Sequence, residues 1–234
     1  MKIEGSTALV TGANRGLGSH LARQLLERGA RVYAAARDPR TVDLPGATPV
    51  QLDITDHAQV ARVAAELGDV SLLINNAGSS TGASLLHGDL ADIDLEMRTH
   101  YFGTLAMSRA FAPHLAANGG GAILNVLSVL SWLALPEAGA YCAAKSAEWS
   151  LTNALRQQLA PQGTQVSALH VGYMNTDLAR HVEAEKMEPS DVARIALDGL
   201  AAGDPEILAD DVSRQVRAGL AGGVAALYRN LGRV

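Results

Sequence analysis

The sequence has a single cysteine, Cys142, so no intrachain disulfide can form and no cysteine-based zinc site exists. Its seven histidines show neither HxxxH nor HxH spacing, so no metal site is expected. Basic residues are not in excess: the net charge is −5, which disfavours non-specific binding to nucleic acid or to an anionic membrane. Long apolar runs are absent. The most apolar stretch, 122–136, is interrupted by Asn125, Ser128 and Ser131 and is too short for a bilayer core of ~30 Å. Residues 1–6 lack the basic start and apolar core of a signal peptide. A soluble, cytoplasmic protein is therefore expected, with no nucleic-acid or membrane partner. Lysine is also scarce: Lys2, Lys145 and Lys186 are the only three, and every other basic side chain is arginine.

What remains is a chain of 234 residues, 48% hydrophobic and 18% charged, enough for one well-cored domain spanning 1–234. Thr7–Thr11 is a short β-branched apolar run. A glycine-rich turn, 12–18, follows, and then a helical pattern over 20–28 closed by Gly29. A second strand covers 31–36. The alternation continues with strands at 49–52, 70–74, 122–127, 165–170 and 206–209. Helices are expected over 57–67, 95–118, 140–160 and 190–201, with a helical tail at 213–228. Seven strands separated by helices predict an α/β fold: a doubly wound parallel sheet, seven-stranded, with helices on both faces. Residues 173–189 are polar and irregular and read as a mobile loop or short helical insert over a site.

Gly12, Gly16 and Gly18 stand between the first strand and the first helix, where positive φ and bare backbone N–H groups suit a pyrophosphate. The second strand ends at Ala36-Arg37, where NAD sites carry an acid, and Arg15 lies inside the glycine turn. Two guanidinium groups near one phosphate predict NADP(H) rather than NAD(H). Tyr141 and Lys145 are four residues apart on a predicted helix and so share a face. An ammonium beside a phenol lowers the phenol's pKa towards the range useful for acid–base chemistry. Ser128, at a strand end, can stabilise charge on a carbonyl oxygen.

These motifs, Thr11-Gly-Ala-Asn-Arg-Gly-Leu-Gly18, Asp53, Asn75-Asn-Ala-Gly78, Ser128 and Tyr141-Cys-Ala-Ala-Lys145, resemble the short-chain dehydrogenase/reductase family, in family order and with its thirteen-residue interval between serine and tyrosine. The resemblance implies a single Rossmann domain and a hydride-transferring oxidoreductase with Ser128, Tyr141 and Lys145 as catalytic residues. It implies cofactor contacts from Gly12, Asn14, Arg15, Gly16, Leu17 and Gly18, and from Arg37. Asp53 would hold the adenine with Ile54 alongside, and Asn76, Ala77 and Gly78 would close the adenosine side. The segment 171–176 resembles PGxxxT with Val171 in place of proline; Gly172, Met174 and Thr176 would hold the nicotinamide carboxamide. Where the family has an asparagine that bends a helix and holds a relay water, this chain has His100, which can take that role through its ring or its carbonyl.

The residues between and beyond the catalytic ones, Trp132, Leu133, Leu135, Tyr173, Met174 and Leu178, suit a small hydrophobic ketone, aldehyde or secondary alcohol. Asp89, Asp92, Asp94 and Glu96 read as a solvated helix start, and Arg180, His181 and Lys186 mix with acids in the loop. Small residues on the two long helices imply, by the resemblance, a homo-oligomer, dimer or tetramer. The tail departs from the family's usual Asp-Gly-Gly ending. The alternative reading is a non-catalytic NADP(H)-binding sensor on the same fold.

Overall fold

The computed structural model describes residues 1–180 and 182–228; His181 and residues 229–234, within the expected single domain, lie outside it. Seven parallel strands form one sheet in the order β3-β2-β1-β4-β5-β6-β7. They are β1 (Thr7–Thr11), β2 (Arg31–Ala36), β3 (Thr48–Gln51), β4 (Leu72–Asn75), β5 (Ala122–Val126), β6 (Gln165–His170) and β7 (Glu206–Leu208). Every residue of β1, β4 and β5 is buried, as expected of strands covered on both faces. Their side chains alternate between two cores. Ala8, Val10, Leu72, Ile74 and Leu124 pack with α1 (Gly16–Glu27) and α6 (Pro189–Ala202). Leu9, Leu73 and Ile123 pack on the other face with α2 (His57–Glu66), α4 (Thr104–Ala117) and α5 (Gly139–Leu159). The doubly wound expectation therefore holds, and the strand order reverses between β1 and β4, the place where such sheets open a crevice. Among the described residues no helix is long and apolar enough to cross a membrane.

The expected single helix over 95–118 is corrected by the structure. It begins earlier, at α3 (Leu90–Glu96), because the Asp89 carboxylate accepts the Ala91 N–H at 2.8 Å and caps it. It then passes through a π-helical segment, Met97–Gly103, before α4. The segment buries Thr99, His100 and Gly103. The acidic cluster also needs correction: Asp89 caps and Asp94 pairs with Arg98 at 2.7 Å, but Glu96 is 0% exposed. The tail is two helices, α7 (Asp211–Gly219) and α8 (Gly223–Leu227), parted by a tight turn at Leu220–Gly222.

A polar ladder fixes the central strands against α5. Asn75 Nδ2 donates to Asn125 Oδ1 at 2.9 Å, Asn125 Nδ2 donates to Thr152 Oγ1 at 2.9 Å, and Thr152 Oγ1 donates to the Glu148 carbonyl at 2.7 Å. All four residues are buried, so each hydrogen bond replaces water that cannot reach it. Asn125→Ala removes the hydrogen bonds to Asn75 and Thr152 from a buried site and is expected to cost about 1–3 kcal/mol, read as a lower denaturant midpoint with an unchanged slope.

Candidate active site

At the C-terminal ends of the strands lies a continuous cleft of about 1400 Å³. The glycine turn forms one end. Gly12 and Gly16 have φ of +65° and +53°, and a Cβ on Gly18 would stand 2.2 Å from the Gly12 carbonyl oxygen, so α1 can start this close to β1 only with glycine there. The first turn of α1 has no side-chain cap and no acid, which leaves N–H groups and the positive end of the helix to an anion. Thr11 splices the turn to the strand beside it. Its hydroxyl accepts the N–H groups of Asn76 and Ala77 at 2.9 and 3.0 Å, while Asn76 Nδ2 donates to the Thr11 carbonyl at 2.9 Å.

Asn14, Arg15, Leu17, Arg37, Asp53, Ile54, Asn76, Ala77 and Gly78 all line the same cleft, as do Gly172, Met174 and Thr176. Asn75 does not; it belongs to the polar ladder. Two assignments differ in detail. The Gly172 N–H is already donated to Asp210 Oδ2 at 2.6 Å, a carboxylate that also caps α7 and that sequence reading missed. Arg15 faces Asp177 at 2.9 Å, across the cleft mouth. Both Asp38 oxygens are held by Arg40, at 2.9 Å each, whereas Arg37 is exposed and among the described residues has no carboxylate within 4.0 Å. The loop at 173–189 is closed at its base by a bridge between Met174 and Met187 and carries a short turn at Asp177–Ala179.

Ser128, Tyr141, Lys145 and His100 meet in the middle of the cleft. Ser128 lies two residues beyond β5 and caps a short turn, its hydroxyl accepting the Leu130 N–H at 3.1 Å. The same hydroxyl faces the Val171 carbonyl at 3.5 Å. Lys145 is 5% exposed; its Nζ donates to the Val126 carbonyl at 2.8 Å and to Glu148 Oε2 at 2.7 Å. The Tyr141 ring is partly open to the cleft, lies 5.8 Å from Lys145 Nζ and meets the His100 ring edge-on at 5.1 Å. His100 Nε2 is 2.9 Å from the Ser79 carbonyl and 3.2 Å from Glu96 Oε2. Gly78 is needed beside it, since a Cβ there would meet the His100 ring at 2.9 Å.

The electrostatics correct one expectation. Tyr141 is held above the ordinary phenol range, not below it: burial raises it most, Lys145 and Ser128 pull it down, and the carboxylates of Glu148 and Glu96 push it up. Lys145 is raised as well; burial works against its charge, but Glu148, Tyr141 and Glu96 outweigh burial. Burial works against the charge of Glu96 too, yet hydrogen bonds from His100 and Thr81 leave it below the usual carboxylate range.

On the substrate side, Leu133, Leu135 and Tyr173 line the cleft, but Trp132 does not. The turn after Ser128 rotates it inward, where its indole stacks on His170 at 3.7 Å beneath the Arg217 guanidinium. His170 Nδ1 is 3.1 Å from the Ser128 carbonyl, so this histidine supports the serine from behind; nothing in its spacing marked it. The tail joins the same wall: the Ala134 N–H donates to the Tyr228 hydroxyl at 2.9 Å, and Val212 lines the cleft.

Comparison with known proteins gives a consistent picture. A family profile described as short chain dehydrogenase matches residues 6–187. A dehydrogenase/reductase SDR family protein 7-like from Drosophila melanogaster is 30% identical over 92% of this chain and 76% of its own. Gluconate 5-dehydrogenase from Gluconobacter oxydans is 33% identical over 79% of this chain and 77% of its own. A short chain dehydrogenase from Burkholderia cenocepacia, crystallised in complex with NADP, matches with a TM-score of 0.95 and 40% identity over the whole of both chains.

His170 gives the site a pH-dependent stability. Burial lowers its pKa from 6.5 to about 4. A depressed histidine pKa means that the unfolded chain binds the proton first, so stability is full above the unfolded value and is lost as pH falls towards the folded one. The loss should approach about 3 kcal/mol. Denaturant midpoints at about pH 7 and about pH 4.5 should differ markedly in the parent, and this difference should shrink in His170→Gln.

Proposed function

The chain belongs to the short-chain dehydrogenase family, and from that premise we propose that it is an NADP(H)-dependent oxidoreductase acting on a small hydrophobic ketone or aldehyde, or on the corresponding secondary alcohol. The observation that carries the reading is the convergence of Ser128, Tyr141 and Lys145 in the cleft that begins at the uncapped end of α1. The glycine turn fits a dinucleotide pyrophosphate, because Gly12 and Gly18 have no room for a Cβ and no side chain caps the first turn of α1. NADP(H) is favoured over NAD(H) by Arg37, which among the described residues has no carboxylate within 4.0 Å, while both Asp38 oxygens are engaged by Arg40 and are poorly placed to hold a ribose hydroxyl. The NADP bound in the Burkholderia structure agrees.

When bound, the nicotinamide supplies or accepts the hydride. The protein's own part is position and protons. Ser128 keeps its hydroxyl in place through the Leu130 N–H and can donate to a carbonyl oxygen. Tyr141 donates its phenolic proton to that oxygen in reduction and takes it back in oxidation. Lys145, anchored at Val126 and Glu148, presents its charge to Tyr141 and thereby stabilises the phenolate form. Leu130, Leu133, Leu135, Leu178 and Val212 make the wall beyond Ser128 apolar, which favours a hydrophobic substituent over a polyol chain. Exposed Phe102, Ala143 and Ala154 on the long helices suit packing against a second copy.

A panel of aryl and alkyl ketones with NADPH tests the reading. Oxidation of NADPH by any of them, lost by at least about a hundredfold in Tyr141→Phe while NADPH still binds, is the expected result. Tight NADPH binding with no turnover would sink it in favour of a sensor. Arg37→Asp should lower affinity for NADPH by about tenfold or more, with NADH affinity unchanged or improved, measured by fluorescence titration of both. An unchanged ratio would remove Arg37 from the 2′-phosphate site.

A further inference from the structure

The buried charge behind Tyr141 and Lys145 is more than the reaction requires. Glu148 lies one turn beyond Lys145 on α5 and is 2% exposed. Its Oε2 accepts from Lys145 Nζ at 2.7 Å, and its Oε1 accepts from Thr104 Oγ1 at 2.8 Å at the start of α4. Its neighbour across the π-helical segment is His100, whose Nδ1 is 3.9 Å from Glu148 Oε2 and finds no hydrogen-bond partner among the described residues. The other His100 nitrogen meets Glu96 at the end of α3. The titratable groups facing Glu148 are thus Lys145 and Tyr141 on its own helix, His100 on the π-helical segment and, beyond it, Glu96.

A buried ion pair is a weak source of stability, because desolvation offsets most of the attraction, and an apolar pair of equal volume often serves as well. A carboxylate kept here, fixed by two donors from two helices, calls for another explanation. Lys145 must remain an ammonium while almost wholly out of water, and burial alone would favour its neutral form. Glu148 is the carboxylate in contact with it.

We propose that Glu148 is a positioning residue for the reaction: clamped by Thr104, its carboxylate holds the Lys145 ammonium charged and in register with Tyr141, and so sets the pH range in which Tyr141 can exchange its proton. The inference rests on the reading of Tyr141 as the acid–base group. Removing a negative charge lowers the pKa of every group beside it, so the sign of the effect is the same for Tyr141 and for Lys145.

The test compares the parent with Glu148→Gln, which keeps the shape and removes the charge. Both limbs of the pH–rate profile, for NADPH oxidation with an active ketone, should move to lower pH by about one unit. A merely structural Glu148 would lower the thermal midpoint and leave the profile where it stood, and that result overturns the proposal. Glu148→Asp withdraws the charge by one methylene and should give a smaller shift of the same sign. If Glu148→Gln does not fold, an unmoved profile in Glu148→Asp overturns the proposal equally. A second readout needs neither cofactor nor turnover: the ultraviolet tyrosinate titration, with Tyr141 isolated by difference from Tyr141→Phe, should fall to lower pH in Glu148→Gln. Absence of turnover in the parent would fail the functional reading alone, while an unmoved tyrosinate titration would fail the role of Glu148.

Discussion

A lysine ammonium held out of water is the constraint around which the rest of this molecule is arranged. Lys145 has two of its three protons assigned, one to the last carbonyl of β5 and one to Glu148. That arrangement requires α5 to lie at one depth and one rotation against β5, and the Asn75–Asn125–Thr152 ladder supplies both. The ladder in turn requires β4 and β5 to be neighbours in register, which the pairing of Asn75 with Asn125 records. A shift of one residue along either strand would turn an asparagine away from its partner and leave Lys145 without its carbonyl. The polar interior therefore specifies position more than it adds stability.

The opposite wall obeys a different constraint, that of close approach. Gly18 lies against the Gly12 carbonyl and Gly78 against the His100 ring, so the backbone comes nearer than any side chain would allow. The first contact opens the end of α1 to an anion; the second brings His100 to the edge of Tyr141. The candidate binding and catalytic residues thus share one cleft because β1 and β4 are adjacent although distant in sequence, with Thr11 bonded to the chain at residues 76 and 77. The parallel topology makes that adjacency possible, since both strands end on the same side.

Much of this was legible in the sequence. Runs such as Thr7–Thr11 and Arg31–Ala36 carry a β-branched apolar pattern bounded by turns, and the strands fall where that pattern is. The glycine turn and the Tyr141–Lys145 spacing are local signals of the same kind. What escaped reading depends on contacts between distant segments. Glu96 looks like one more acid in a solvated helix start, yet the π-helical turn that follows and the loop at Ser79–Thr81 enclose it. Trp132 follows Ser128 closely enough to look like a pocket wall, but a single short turn sends it to His170. Asp210 gave no sign of bonding to Gly172, because the tail returns to the cleft only in three dimensions. The sense of the Tyr141 shift was misjudged for the same reason: the lysine beside it is visible in the sequence, whereas burial and the second carboxylate are not.

That sense bears on how the tyrosine holds its proton. A phenol whose proton is retained by burial and by two carboxylates stays in the form that can donate, but it is a weaker acid, and its phenolate a stronger base, than a free phenol. Giving the proton to a carbonyl oxygen is the reductive half of the reversible reaction. The Lys145 charge opposes the carboxylates and keeps the cost of the phenolate finite, so the tyrosine is a proton donor that can be restored and not an inert ring. Had Lys145 stood alone, as spacing by itself implied, the balance would have leaned towards the phenolate. The chain's own charges therefore set the proton affinity of Tyr141 for both directions of the reaction alike, and they do so through Glu148 and Glu96 as well as Lys145, none of which need touch the substrate.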